Sequence, residues 1–276
     1  MNSTKTFHFG NNSHDGNGYR AVVIKELLHS SYGCYIWPSA FVLAEYIWDR
    51  RNLFEDKTIL ELGAGTSLPG FLCASLSPQT HVILTDQSDY PQILENIYDG
   101  ARLNRLLLTS DDIFAGSLRP NIWIRGLNWG EFCLRDQGKD KSEEGNLLQL
   151  LRDIEQNNRK LDWILGSDTF YDPKDFADII ATIAYILNYH APKAKFLTSY
   201  QERSSKRTIQ YLLDKWKLKC RQISLKSFNF DYDKYTSNNN SELSNSINNT
   251  SEETCRKEMI YSSSLQSIFL LEIWKD

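Results

Sequence analysis

The sequence predicts an α/β protein in which one largely parallel sheet is covered by helices on both faces. Seven apolar runs of strand length recur from residue 57 onward, and helical runs separate most of them. A glycine-rich turn, Glu61-Leu62-Gly63-Ala64-Gly65-Thr66, joins the first of these strands to the helix after it. That is where an open α/β sheet places its ligand.

The elements follow in order. Residues 5–10 (KTFHFG) and 19–28 (YRAVVIKELL) alternate apolar and polar residues around a Gly/Asn-rich turn, so a β-hairpin is expected ahead of the main domain, over about 5–28. Pro38 follows Trp37, and an apolar run begins at Ala40, which predicts a helix over roughly 39–50. KTILELG reads as a buried strand. TSLPGFLCASL opens a helix with Thr66 or Ser67 as N-cap and Pro69 in the first turn. HVILTD is the second strand, and YPQILENIYDGARLNRL is a helix with Ile93, Ile97 and Ala101 on one face. NIWIRGLNWG and LDWILGSD supply the third and fourth strands. After the fourth, Phe176, Ile179, Ile180, Ile183 and Leu187 recur at helical spacing behind Asp172, the expected N-cap, and Pro173.

AKFLTSY is the fifth strand, SSKRTIQYLLDKW a helix, LKCRQISL the sixth strand and SIFLLEIW the seventh. No helix separates the last two, so they are expected to form an antiparallel hairpin at one sheet edge. Residues 134–146 and 233–257 are polar and lack periodicity; they read as mobile insertions in a single domain spanning 1–276.

Composition narrows the function. The chain has 276 residues, 41% hydrophobic and 24% charged, ordinary values for a globular protein. A net charge of −4 supplies no overall basic field, so direct binding of nucleic acid is not expected. No run of 18 apolar residues occurs, and the polar N-terminus lacks the apolar segment of a secretory signal, so no membrane association is expected. Five scattered cysteines without a CxxC pair suit a reducing compartment, the cytoplasm, the nucleus or both. Five histidines without ligand spacing argue against a metal site.

The glycine turn departs from a dinucleotide loop in two ways. GxGxxG would place a third glycine at position 68, where this chain has Leu68, and an acid, Glu61, stands before the first glycine. Beside an anionic pyrophosphate that acid would be unfavourable. A cationic ligand, such as a sulfonium nucleoside with an amino-acid tail, fits better. Asp86 ends the second strand, 21 residues after Gly65, where an acid accepts hydrogen bonds from ribose hydroxyls. Trp129 follows the third strand at the same sheet edge, where an indole stacks on adenine or packs in the core, and Trp37 either walls the pocket from the N-terminal side or staples the structure.

Taken together, YGCYIWPSAFVLAEYIW, ILELGAGTSLPGF, LTDQSD, LNWG and SDTFYDPKDF resemble the family 16 methyltransferases, and the likeness extends over nearly all of the chain outside the two insertions. The resemblance implies a Rossmann-like seven-stranded sheet of order 3-2-1-4-5-7-6 with the last strand antiparallel, and S-adenosylmethionine as cofactor. It implies cofactor contacts from Trp37, Gly63, Gly65, Asp86, Trp129 and Ser167, to which the glycine turn adds Glu61 and Ala64 as expected contacts, and a substrate-side role for Asp168-Thr169-Phe170-Tyr171, with Asp168 and Tyr171 as the expected catalytic residues. Members mostly methylate protein lysines; one is regarded as a histone-arginine methyltransferase. The expected partner is a protein substrate, histone H3 or another, and the expected state is a monomer.

Methyl transfer from a sulfonium needs a nitrogen lone pair aligned with the methyl carbon. Lysine must be bound neutral, whereas arginine, with a pKa above ~12, must be held and polarised by acids. Asp168, at the C-terminal end of the fourth strand, is the candidate for orienting the nitrogen or accepting its proton, and Tyr171 for packing on the side-chain stem. The sequence has no double-Glu loop. Glu202 is the possible second acid, with Tyr200 and Gln201 as alternative polar contacts, and the cluster Arg203-Ser204-Ser205-Lys206-Arg207 reads as a solvated helix start. A non-catalytic cofactor-binding module is the rival of another class; a nicotinamide oxidoreductase is disfavoured by Glu61 and Leu68.

Overall fold

The computed structural model describes residues 3–10, 18–27, 32–106, 121–134, 143–144, 146–203, 208–231, 234–235 and 267–276. Strands β1 (Ser3–Gly10) and β2 (Tyr19–Glu26) form the N-terminal hairpin, in the register Ser3↔Glu26 to Gly10↔Tyr19. Alternation puts Phe7, Phe9, Val22 and Ile24 on its buried face, where they join Phe41 and Trp48 of helix α1 (Pro38–Asp49). The hairpin is also fastened through polar groups. Arg20 Nε donates to the Ser75 carbonyl at 2.7 Å, near the end of helix α2 (Leu68–Leu76). The Asn104 amide accepts from Val23 N at 2.8 Å and donates to Val23 O at 2.7 Å, beside the C-terminus of helix α3 (Pro91–Leu103).

The main sheet contains β3 (Thr58–Leu62), β4 (His81–Asp86), β5 (Ile122–Gly126), β8 (Leu161–Ser167), β9 (Lys195–Gln201), β10 (Leu218–Ile223) and β11 (Ile268–Lys275). Its order is β5-β4-β3-β8-β9-β11-β10, which in sheet strands alone is 3-2-1-4-5-7-6. The five strands from β5 to β9 are parallel, and β11 runs antiparallel between β9 and β10. Every residue of β3 and β4 is buried, as expected of central strands covered on both faces. One face packs against α1, α2, α3 and the hairpin. The other packs against α4 (Asn146–Gln156), α5 (Phe176–Tyr185) and α6 (Gln210–Trp216).

Four local expectations are corrected. Helix α4 was not anticipated, although Leu147, Leu150, Leu151 and Ile154 recur at i, i+3, i+4 and i+7 and are all buried. Helix α5 starts at Phe176 with Asp175 in the cap position; Asp172 instead accepts from Lys174 N at 3.1 Å and closes the preceding turn. Ser67 occupies the cap position of α2 with a left-handed backbone (φ 62°), and its hydroxyl caps nothing. Helix α6 begins at Gln210, well after Arg203. Of the two insertions, the first is described only at its ends, where Cys133–Leu134 (β6) pairs with Glu143–Glu144 (β7), and most of the second lies outside the described residues. No described helix is long and apolar enough to cross a membrane.

Candidate active site

At the C-terminal edge of the parallel strands, the loops after β3, β4, β5 and β8 and the segment entering α1 surround a cavity of about 550 Å³. Its walls include Trp37, Gly63, Ala64, Gly65, Asp86, Trp129, Ser167, Asp168 and Tyr171. Nine of the ten residues singled out from the sequence thus meet at one cavity, from segments more than 130 positions apart. Glu61 is the tenth, and it is placed differently: it is fully buried and absent from the lining.

The glycine turn is held from below. Thr85 Oγ1 donates to the Glu61 carbonyl at 2.7 Å and Ala64 N donates to the Thr85 carbonyl at 2.9 Å, so the turn is bound to β4. Gly63 has φ +62°, and a Cβ there would lie 2.9 Å from Trp129 Cζ2, so only glycine lets the turn and the indole sit this close. Gly70, in the first turn of α2, does the same for Glu61: a Cβ would lie 2.3 Å from Oε2. Neither Glu61 oxygen has a partner in hydrogen-bond geometry, and the nearby Gly70 amide only partly offsets the burial, which pushes the carboxyl up to about 8.

Asp86 is positioned as a carboxylate at the cavity wall. Its Oδ2 accepts from Gly65 N and its Oδ1 from Gln87 N, both at 2.8 Å. Burial raises its pKa, and these two amides pull it back. Each oxygen keeps a second lone pair for a hydroxyl in the cavity. The loops after β4 and β5 are tied together by Ser88 N donating to Asn128 Oδ1 at 3.0 Å, next to Trp129, which lines the same cavity as Asp86.

The segment after β8 divides its residues between site and core. Asp168, Thr169 and Tyr171 line the cavity, while Phe170 is buried edge-on against Phe176 and Phe196. Asp168 is 7% exposed and adopts φ +55°, with its amide donating to the Ser199 carbonyl at 2.7 Å. Its carboxylate is gripped by Arg203, Nη1 to Oδ1 at 3.1 Å and Nη2 to Oδ2 at 2.6 Å, and Gln201 N donates to Oδ1 at 3.3 Å. Burial raises the Tyr171 pKa, reinforced by Asp175 and Asp86. Arg203, read from the sequence as a solvated helix start, is therefore a wall of the site. Glu202, the proposed second acid, is exposed and outside the lining, whose described acids are Asp86 and Asp168.

The glycine turn, the acid at the end of the next strand and this strand order define a Rossmann-like nucleoside-binding site. The sequence profile of methyltransferase family 16, described as lysine methyltransferase, matches residues 18–214, and the chain belongs to that family. It is an S-adenosylmethionine-dependent methyltransferase. Among its relatives, a Xenopus laevis histone-arginine methyltransferase, METTL23, is 39% identical over 76% of this chain and 75% of its own. The Homo sapiens protein of the same name is 38% identical, covering 71% of this chain and 85% of its own. A protein-lysine N-methyltransferase, EFM3, of Chaetomium thermophilum is 26% identical over 62% of this chain and 43% of its own. The cavity fits such a cofactor: its volume of about 550 Å³ falls within the ~300–1,000 Å³ usual for small-molecule sites, and its lining combines the glycine turn, the Trp37 and Trp129 indoles and the Asp86 carboxylate.

Proposed function

We propose that the chain methylates a terminal nitrogen of an arginine side chain in a protein, with histone H3 as the leading candidate and the nucleus as the place of reaction. The observation that carries this reading is the bidentate grip of Asp168 on a guanidinium at the wall of the cofactor cavity. A carboxylate held at this angle matches the planar fork of arginine better than the point charge of lysine. The histone-arginine relatives support the same target.

In this reading Asp86 accepts from ribose hydroxyls, Trp129 and Trp37 flank the adenine, and the Gly63–Gly65 backbone borders the amino-acid tail, with Ser167 beside it. The cofactor supplies a methyl group already activated on a sulfonium. Asp168 orients the substrate nitrogen so that its lone pair faces that methyl, and it takes the proton that leaves as the N–C bond forms. Tyr171 packs along the methylene stem. Glu61, beneath the turn and protonated at neutral pH, supports the loop without adding a second buried charge.

A second reading, transfer to lysine, is favoured by one observation: among the described residues lining the cavity, the acids are Asp86 and Asp168 alone, and none besides Asp168 is bound to the Arg203 guanidinium. Labelled S-adenosylmethionine with core histones and a cell extract, followed by mass spectrometry, separates the two. Methyl-arginine is expected; methyl-lysine replaces the first reading with the second, and absence of transfer despite cofactor binding supports a non-catalytic module.

A further inference from the structure

Asp168 faces a physical problem whenever substrate is absent. It is 7% exposed, and a buried carboxylate left without a partner is costly. Arg203 resolves it, and the way it does so is informative. The guanidinium meets Asp168 through both of its terminal nitrogens at the wall of the cavity, where the arginine itself stays partly open to solvent.

We propose that Arg203 is an internal stand-in for the cationic side chain of the substrate: it occupies Asp168 in the free protein and is displaced when substrate enters. The inference rests on the reading of Asp168 as the substrate acid, and it adds a residue that selects for charge. The two halves of the pair differ in freedom. Asp168 is fixed by its own amide on Ser199 O and by the Gln201 amide on Oδ1. Arg203 keeps 30% of its side chain exposed against 6% for Asp168, so the arginine is the half that can swing into water. An incoming arginine or lysine then restores the charge pair that Arg203 gives up. A neutral side chain of the same shape does not, and leaves Asp168 buried alone.

The test uses the whole chain and small probes read by the fluorescence of Trp37 and Trp129. Nα-acetylarginine amide, the lysine analogue and the neutral citrulline analogue are titrated into the parent and into Arg203→Met. Removing the stand-in is expected to tighten the arginine probe at least tenfold and leave citrulline unchanged, and Asp168→Asn in the same background is expected to abolish the gain. Arg203→Gln is expected to move the same way and serves if the methionine variant fails to fold. Arginine binding no tighter than in the parent, or a gain that survives Asp168→Asn, overturns the proposal, because a purely structural Arg203 predicts weaker binding. Thermal stabilisation by S-adenosylhomocysteine is recorded in parallel. Its absence in the parent counts against the cofactor site and leaves the arginine titration to judge Arg203.

Discussion

At the scale of single residues, the site is a set of carboxylates with different environments. Asp86 has two backbone donors, Asp168 has a guanidinium, and Glu61 has neither. Asp168→Ala is expected to keep stabilisation by S-adenosylhomocysteine and to lose turnover by about 10²-fold or more, the usual worth of a positioned acid–base group; parental turnover would remove Asp168 from the chemistry. Glu61 and His81 set opposite pH limits on folding. The Glu61 carboxyl is raised from 4.5 to about 8, so its contribution to stability is complete below pH 4.5 and is lost as pH rises through 8. His81 is buried against the Trp123 ring edge with both nitrogens unpartnered, and burial lowers it from 6.5 to about 4. Its contribution is complete above pH 6.5 and falls as pH drops toward 4, by roughly 3 kcal/mol at ~1.4 kcal/mol per pH unit. Denaturant titrations should therefore show Glu61→Gln flattening the alkaline limb alone, with the acid limb unchanged; an unaltered alkaline slope would mean that Glu61 ionises normally.

At the scale of elements, helix α4 and the hairpin are the parts whose roles are most exposed to test. Leu150→Ala empties a buried position between α4 and the sheet and should cost about 2–5 kcal/mol; a loss below ~1 kcal/mol would mean α4 packs loosely. Asn104→Ala removes two of the hydrogen bonds that tie β2 to α3 and its C-cap, leaving those of Lys25 with Asn96 and Asp99, and should cost about 1–3 kcal/mol in the same assay. These elements also mark where the sequence was readable. Central strands such as ILEL and HVILTD declare themselves because both faces are apolar, and α5 does so through Phe176, Ile179, Ile180 and Ile183 on one stripe, which Leu187 continues in the π-helical turn that follows. Helix α4 carries an equally regular stripe, but it abuts the charged run 134–146 and its polar face blends into that composition. The start of α5 was misplaced because an Asx turn and an N-cap use the same residue types, and only the backbone decides between Asp172 and Asp175. The Arg203–Asp168 pair was illegible for another reason: the two residues are 35 positions apart, and an arginine in a polar run looks solvated until the fold brings its partner to it.

For the whole molecule, the strand order brings the ends of β3, β4, β5 and β8 to one edge, so the cavity is a consequence of topology before it is one of side chains. The segment between the hairpin and α1 walls the cavity on a further side through Gly33, Tyr35 and Trp37, and Ala40 of α1 joins them. In the proposed reading one cavity serves both reactants, cofactor against Gly63, Asp86 and Trp129, substrate against Asp168. Co-crystallisation with S-adenosylhomocysteine tests it most directly. The nucleoside is expected between Asp86 and Trp129, with the sulfur opening toward Asp168 and no protein atoms between them. A ligand bound elsewhere, or a sulfur walled off from Asp168, would contradict it.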